Sequence, residues 1–242
     1  MFCFVFVLSY FSTLYTVYAG LYLIGRWVLS EKSLDATLDR CDFVVPLASL
    51  IGTLIVILSV CDSAIHILLS AFEWPMWFGL SMPLSLVVAI FVSVGTGTAF
   101  YYAEIIAAQV WLKLRVRNKP AEEHWMFGDA KRIVRQGQKL PIGLLLICIL
   151  GEVILEEILW RGYLVSYATD VLNISVHYAI IISSLAFGMN HLAYGLANVI
   201  SKTLFGIILS LMYLASGSLL PCILCHQVFN LMVFRIRIEW QS

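Results

Sequence analysis

The sequence predicts an all-α protein, a polytopic transmembrane bundle of about seven helices (seven to eight), and three observations carry that reading. Of 242 residues, 61% are hydrophobic and 12% charged, with a mean hydropathy of +0.93; soluble domains carry about 25% charged residues. Apolar runs long enough to cross a bilayer, which takes about 20 helical residues, recur along most of the chain. Lysine and arginine gather in alternate connections, as cytoplasmic loops do. Lys plus Arg and Asp plus Glu are 15 each, so no charge excess points to a nucleic-acid partner. The partner that this composition demands is the lipid bilayer.

Seven apolar runs read as spans, near 2–25, 43–61, 81–111, 141–166, 176–194, 198–216 and 219–234. The first is uncharged through residue 25 and lacks the basic start of a secretory signal, so it reads as a retained helix. The third exceeds one simple span and is expected to tilt, protrude or kink at Gly95–Gly97. Residues 62–80 suit an interfacial or re-entrant piece, with Trp74 and Trp77 at headgroup level; counting it makes eight. Segment 113–140 holds eight of the fifteen Lys and Arg residues. With seven spans it shares one side with Arg26, Lys32 and Arg40 in the first loop, Lys202 just before the sixth helix, and Arg235 and Arg237 after the seventh, which places the N-terminus outside and the C-terminus in the cytoplasm. The chain therefore divides into N-terminal helices (1–112), a basic cytoplasmic loop (113–140), a C-terminal four-helix core (141–234) and a cytoplasmic tail (235–242). The expected location is an integral, multi-pass membrane, the cell membrane in a prokaryote. The six cysteines lack the spacing of a disulfide framework and read as small packing residues.

Ionisable residues inside a span mark function by default, and the fourth run carries four in "GEVILEEILWRGYL", residues 151–164. Glu157 and Arg161 stand four apart in the order that favours a helical ion pair. Glu156 points elsewhere, roughly 100° around the helix, with Glu152 and Trp160 as its neighbours four residues away. A buried carboxylate with no evident cation suits a general base or acid. Glu152 either tunes Glu156 or faces the same cavity. The fifth run adds Asn190 and His191 in "LAFGMNHLAYG", and the seventh adds His226 and Asn230 on one helical face.

Together these groups can form a hydrolytic site. Glu156 and His191 would hold and deprotonate a water, while His226 and Asn230 would stabilise the oxyanion formed at an amide carbonyl. Two rivals use the same residues. Glu and two His could bind zinc with water as fourth ligand, without an HExxH signature to support it. "CILCH", Cys222 to His226, matches a haem-attachment pattern, which needs exposed cysteines. A proton-coupled transporter is a further alternative, weakened by the lack of an internal repeat. In straight spans His191 falls near the inner end of the fifth helix and His226 near the outer end of the seventh, so ideal geometry keeps the groups apart.

Glu156, Glu157 and Arg161 form E-E-x-x-x-R, Phe187 and His191 form F-x-x-x-H, and His226 and Asn230 form H-x-x-x-N. Their order and spacing resemble the CPBP intramembrane proteases, the CAAX-protease and bacteriocin-processing family, which includes the type II CAAX prenyl endopeptidases. "EEILWRGYL" and "FGIILSLMYLASGSLLPCILCH" are similar to that family's sequence, and the resemblance spans about 141–234. It implies a helical membrane protease with Glu156 as catalytic glutamate and His191 helping to activate water. It further implies His226 and Asn230 at the oxyanion site, a structural Glu157–Arg161 pair and no metal cofactor. The implied substrate is a peptide or protein, prenylated in eukaryotic members and serving peptide maturation or bacteriocin self-immunity in bacterial ones. A catalytically silent immunity or scaffolding protein with the same fold is the alternative function.

Overall fold

A computed structural model describes residues 51, 52, 55, 58, 64–77, 79–115, 142–191 and 196–239. The first predicted span, most of the second and nearly all of the basic loop lie outside the described residues. What is described is all helical, with six α-helices: α1 Ala64–Ala71, α2 Met82–Arg115, α3 Ile142–Glu157, α4 Val176–Met189, α5 Leu196–Ser216 and α6 Leu220–Glu239. Between α3 and α4 the chain continues as π-helix over Ile158–Val165 and Tyr167–Val171. Two stretches, Met82–Ala107 and Leu196–Ser216, are long and apolar enough to cross a membrane. Their outer faces carry exposed large apolar side chains such as Ile90, Phe91, Ile106, Leu204 and Leu211, as expected of helices solvated by lipid rather than water.

The π-helical segment is the axis of the bundle. Every residue from Leu159 to Ala168 is buried, because α1, α3, α4 and α5 all pack against it. A helix that is mostly apolar around its whole circumference is stable when surrounded in this way. The expected ordinary helix over 141–166 is thus corrected in form and extent: the helical run continues to Val171, and its second half is wound i→i+5. Ser183 on α4 donates to the Trp160 carbonyl at 2.6 Å within this stretch.

α2 runs 34 residues without interruption, about 51 Å at 1.5 Å per residue, so its excess length protrudes beyond one span. Gly97 lies against α6, where an added Cβ would stand 2.5 Å from the Cys225 carbonyl oxygen, while Gly95 faces open space. Ser93 Oγ, one turn earlier, donates to the Pro221 carbonyl at 2.8 Å. α5 turns into α6 through Gly217, whose φ of +66° is a left-handed conformation suited to glycine. The 62–80 piece is pinned to that turn, with Leu219 N donating to Ala71 O at 2.7 Å and Met76 N to Ser216 O at 3.0 Å. Trp77 is accordingly a core residue, 5% exposed, and not a headgroup anchor; Trp74 stays exposed. Two further corrections concern charges. Lys202 lies within α5 and is buried rather than placed in a loop before it, and α6 continues past Arg235 and Arg237 to Glu239.

Candidate active site

The site forms where the end of α3 meets α4 and α6. Glu157 and Arg161 are both fully buried, and Arg161 Nη1 donates to Glu157 Oε1 at 3.1 Å. Helical spacing brings the two together, and two neighbours complete the niche. Gly206 on α5 leaves the space beside the guanidinium, since a Cβ there would meet Arg161 Nη2 at 3.2 Å. The Phe187 ring faces the cation at 4.4 Å from its centroid, a cation–π contact strengthened by burial.

Glu157 has a second partner that its spacing did not reveal. His226 Nδ1 lies 2.7 Å from the same Oε1, and since a carboxylate only accepts, that nitrogen carries the proton. Arg161, Glu157 and His226 therefore form one line running from the π-helix to α6. The other ring nitrogen, Nε2, faces Glu156 Oε2 at 3.8 Å. Asn190 Nδ2 approaches the remaining Glu156 oxygen at 3.4 Å. Glu156 is thus not without polar neighbours: a histidine and an amide flank it, and Glu152 lies half-buried one turn earlier. At 3.8 Å the two groups are too far for a direct hydrogen bond, yet a single water can lie within reach of both.

His191 follows Asn190 just beyond α4. Its Nδ1 bonds the Phe187 carbonyl at 3.0 Å, which fixes the proton on Nδ1 and makes Nε2 the basic atom of the neutral ring. Phe187 is the hub of the arrangement. Its ring lies edge-on to His191 at 5.0 Å and to His226 at 5.7 Å, besides capping Arg161. Asn230 sits one turn past His226, half-buried, with no hydrogen bond to the cluster among the described residues.

The separation expected of straight spans does not arise, for a geometric reason. α4 has 14 residues, about 21 Å, too short for a bilayer core of about 30 Å. Its C-terminal end carries Phe187 and His191 to His226, with the Phe187 ring centroid 5.0 Å from that of His191 and 5.7 Å from that of His226. Glu156 lies midway along the continuous helical run from Ile142 to Val171, and the three elements meet there.

The residues of the two rival chemistries are placed as follows. Among the described residues no group of three His, Cys, Asp or Glu side chains is placed to hold a metal ion. Cys222 and Cys225 are fully buried, with Cys222 Sγ donating to the Leu209 carbonyl at 3.2 Å, so "CILCH" is packing. Sequence reasoning assigned no role to Asn190, to Lys202, or to Glu104 on α2. Glu104 Oε1 accepts from Ser201 Oγ at 2.9 Å and lies 3.7 Å from Lys202 Nζ. The charge within the sixth apolar run was the signal for Lys202.

Compared with curated proteins and with solved structures, the chain matches none. A family model does match residues 138–232, the stretch that supplies Glu156, Glu157, Arg161, Phe187, His191, His226 and Asn230, and its description is Type II CAAX prenyl endopeptidase Rce1-like. Over those residues the chain carries a domain of the Rce1-like type II CAAX prenyl endopeptidase family.

Proposed function

We propose that the protein is an intramembrane endopeptidase that hydrolyses a peptide bond of a membrane-associated, CAAX-type or peptide-maturation substrate. The observation that carries this reading is the line Arg161–Glu157–His226, buried among apolar helices and ending 3.8 Å from Glu156. Glu156 and His191 activate the water: the carboxylate takes the proton, and Nε2 of His191 is the second basic atom. The attacked carbonyl becomes an oxyanion, for which His226 and Asn230 are the donors. For Nε2 of His226 to donate while Nδ1 donates to Glu157, the ring must carry both protons, and Glu157 is the counter-ion that this form requires. Glu152 borders Glu156 and tunes its charge. The catalytic core is the four-helix unit over 141–234, set in a seven-span, multi-pass membrane protein with the basic loop and C-terminal tail in the cytoplasm.

The test is hydrolysis of a farnesylated peptide ending in Cys-Val-Ile-Ala, a C-a-a-X terminus, by full-length protein in detergent micelles. Glu156→Gln keeps the shape and removes the base, and is expected to lower kcat about 10²–10⁴-fold. Undiminished cleavage by that variant would sink the glutamate mechanism.

A further inference from the structure

Glu156 meets a side chain that the local backbone does not call for. Asn190 follows the last residue of α4, a place where asparagine is common because it tolerates the left-handed conformation that ends many helices. Here its φ of −59° and ψ of −18° are right-handed, so the backbone would accept almost any residue. The helix end is closed by main-chain groups alone: Asn190 N donates to the Ala186 carbonyl at 3.1 Å, and His191 N to that of Gly188 at 2.9 Å. Capping leaves the amide side chain unused, and its Nδ2 goes instead to Glu156 Oε1 at 3.4 Å, 34 residues away in sequence.

The amide issues from a fixed point. α4 presses on α5 at this end, where a Cβ added to Gly188 would stand 2.7 Å from the Val199 carbonyl oxygen. Phe187, one turn before His191, is fully buried. A group held by packing and backbone bonds on a rigid element can orient a neighbour.

The two oxygens of Glu156 are not equivalent. Oε1 faces the Asn190 amide, and Oε2 stands 3.8 Å from His226 Nε2. The terminal torsion of a glutamate is broad and roughly twofold, so a carboxylate without a directional partner presents either oxygen. Charge from Glu152, Glu157, Arg161 and Lys202 also reaches Glu156, but only a hydrogen bond has the directionality to tell its oxygens apart. The 3.4 Å contact is longer than most N–H···O bonds, and catalytic hydrogen bonds commonly tighten only in the substrate complex.

We propose that Asn190 is the positioning residue of the glutamate base: its amide holds Oε1 and thereby sets Oε2, on the His226 side, as the oxygen that takes the proton of the water. The proposal rests on the endopeptidase reading above and adds to it the residue that orients the base.

The experiment follows hydrolysis of the farnesylated Cys-Val-Ile-Ala peptide by full-length protein in detergent micelles. Asn190→Leu removes the donor at similar volume, and Asn190→Asp keeps the shape but sets an acceptor in the donor's place. Asn190→Leu is expected to lower kcat about 10–100-fold, as for a hydrogen bond to a charged group, with KM within about twofold of wild type. Asn190→Asp should lose at least as much. Added to Glu156→Gln, Asn190→Leu should cost little more, because the amide acts through the carboxylate.

A kcat within about twofold of wild type in either variant overturns the proposal. So does a rise in KM at constant kcat, which would put the amide on the substrate, and so does full additivity with Glu156→Gln. If Asn190→Leu does not fold, the isosteric Asn190→Asp decides alone. Each of these results leaves the endopeptidase reading intact, whereas absence of cleavage by the wild type removes that reading and the proposal with it.

Discussion

Among the described residues, two pairs of a carboxylate with a lysine or arginine lie inside the apolar bundle, and they are built in opposite ways. Glu157 and Arg161 belong to one helix, stand 3.1 Å apart and expose nothing. Glu104 and Lys202 belong to α2 and α5, stand 3.7 Å apart and keep 27% and 10% of their side chains exposed. The first is closed: Phe187 covers the guanidinium and His226 takes the same carboxylate oxygen. The second is open, with a hydroxyl on its carboxylate and a ring under its ammonium. A closed pair fixes geometry, and an open pair is able to exchange partners. The difference teaches that charge is held inside one domain in two ways, locked within a single helix beneath His226 in the first case and joining two helices with solvent contact in the second.

The largest effect should follow from opening the closed pair. Arg161→Ala leaves the fully buried Glu157 carboxylate with His226 as its remaining partner, and loss of one partner from a buried pair costs up to about 3–5 kcal/mol. Thermal unfolding in detergent should show a large drop in Tm, with peptide hydrolysis lost because the anchor of His226 has moved. A variant within about 1 kcal/mol of wild type would mean that the pair does not brace the helix.

A smaller effect separates the pairs by acting on α2 alone. Gly97→Ala drives a Cβ to 2.5 Å from the Cys225 carbonyl, a backbone atom that cannot yield without moving α6 or α2. Overpacking of this kind costs about 1–3 kcal/mol. Gly95→Ala meets open space and should be neutral or stabilising by up to about 1 kcal/mol, since alanine is the better helix former. Denaturation of the two variants side by side checks this. Equal stabilities would mean that α2 is not pinned at Gly97.

How far each pair was legible in the sequence follows from the same contrast. Glu157 and Arg161 are four residues apart, so helical periodicity alone joins them. Glu104 and Lys202 are separated by most of the domain, and only packing of α2 on α5 and α6 brings them together. Lys202 was also read as a loop charge, because it lies near the start of an apolar run and suited the charge asymmetry. The helix order over 141–234 was legible from hydropathy. The π winding after Glu157 was not, since i→i+5 bonding leaves no side-chain pattern in a stretch buried on every side. Trp77 misled for the reason that aromatic residues suit both an interface and a core. The spacing of Glu157 and Arg161 concealed as much as it revealed: a carboxylate has two oxygens with several acceptor sites, and the His226 contact used one that pairing with Arg161 left available.

The smallest effect is expected at the pair that solvent can reach. Glu104→Gln keeps the volume and an oxygen for the Ser201 hydroxyl, and removes only the charge opposite Lys202. The pair is half open, so the stability change should be about 0.2–1 kcal/mol, the range of ion pairs that solvent can reach. Thermal unfolding and KM measured on the same variant check this: a small loss of stability with KM unchanged marks a brace between α2 and α5, and a change in KM would mean that the pair acts on the site.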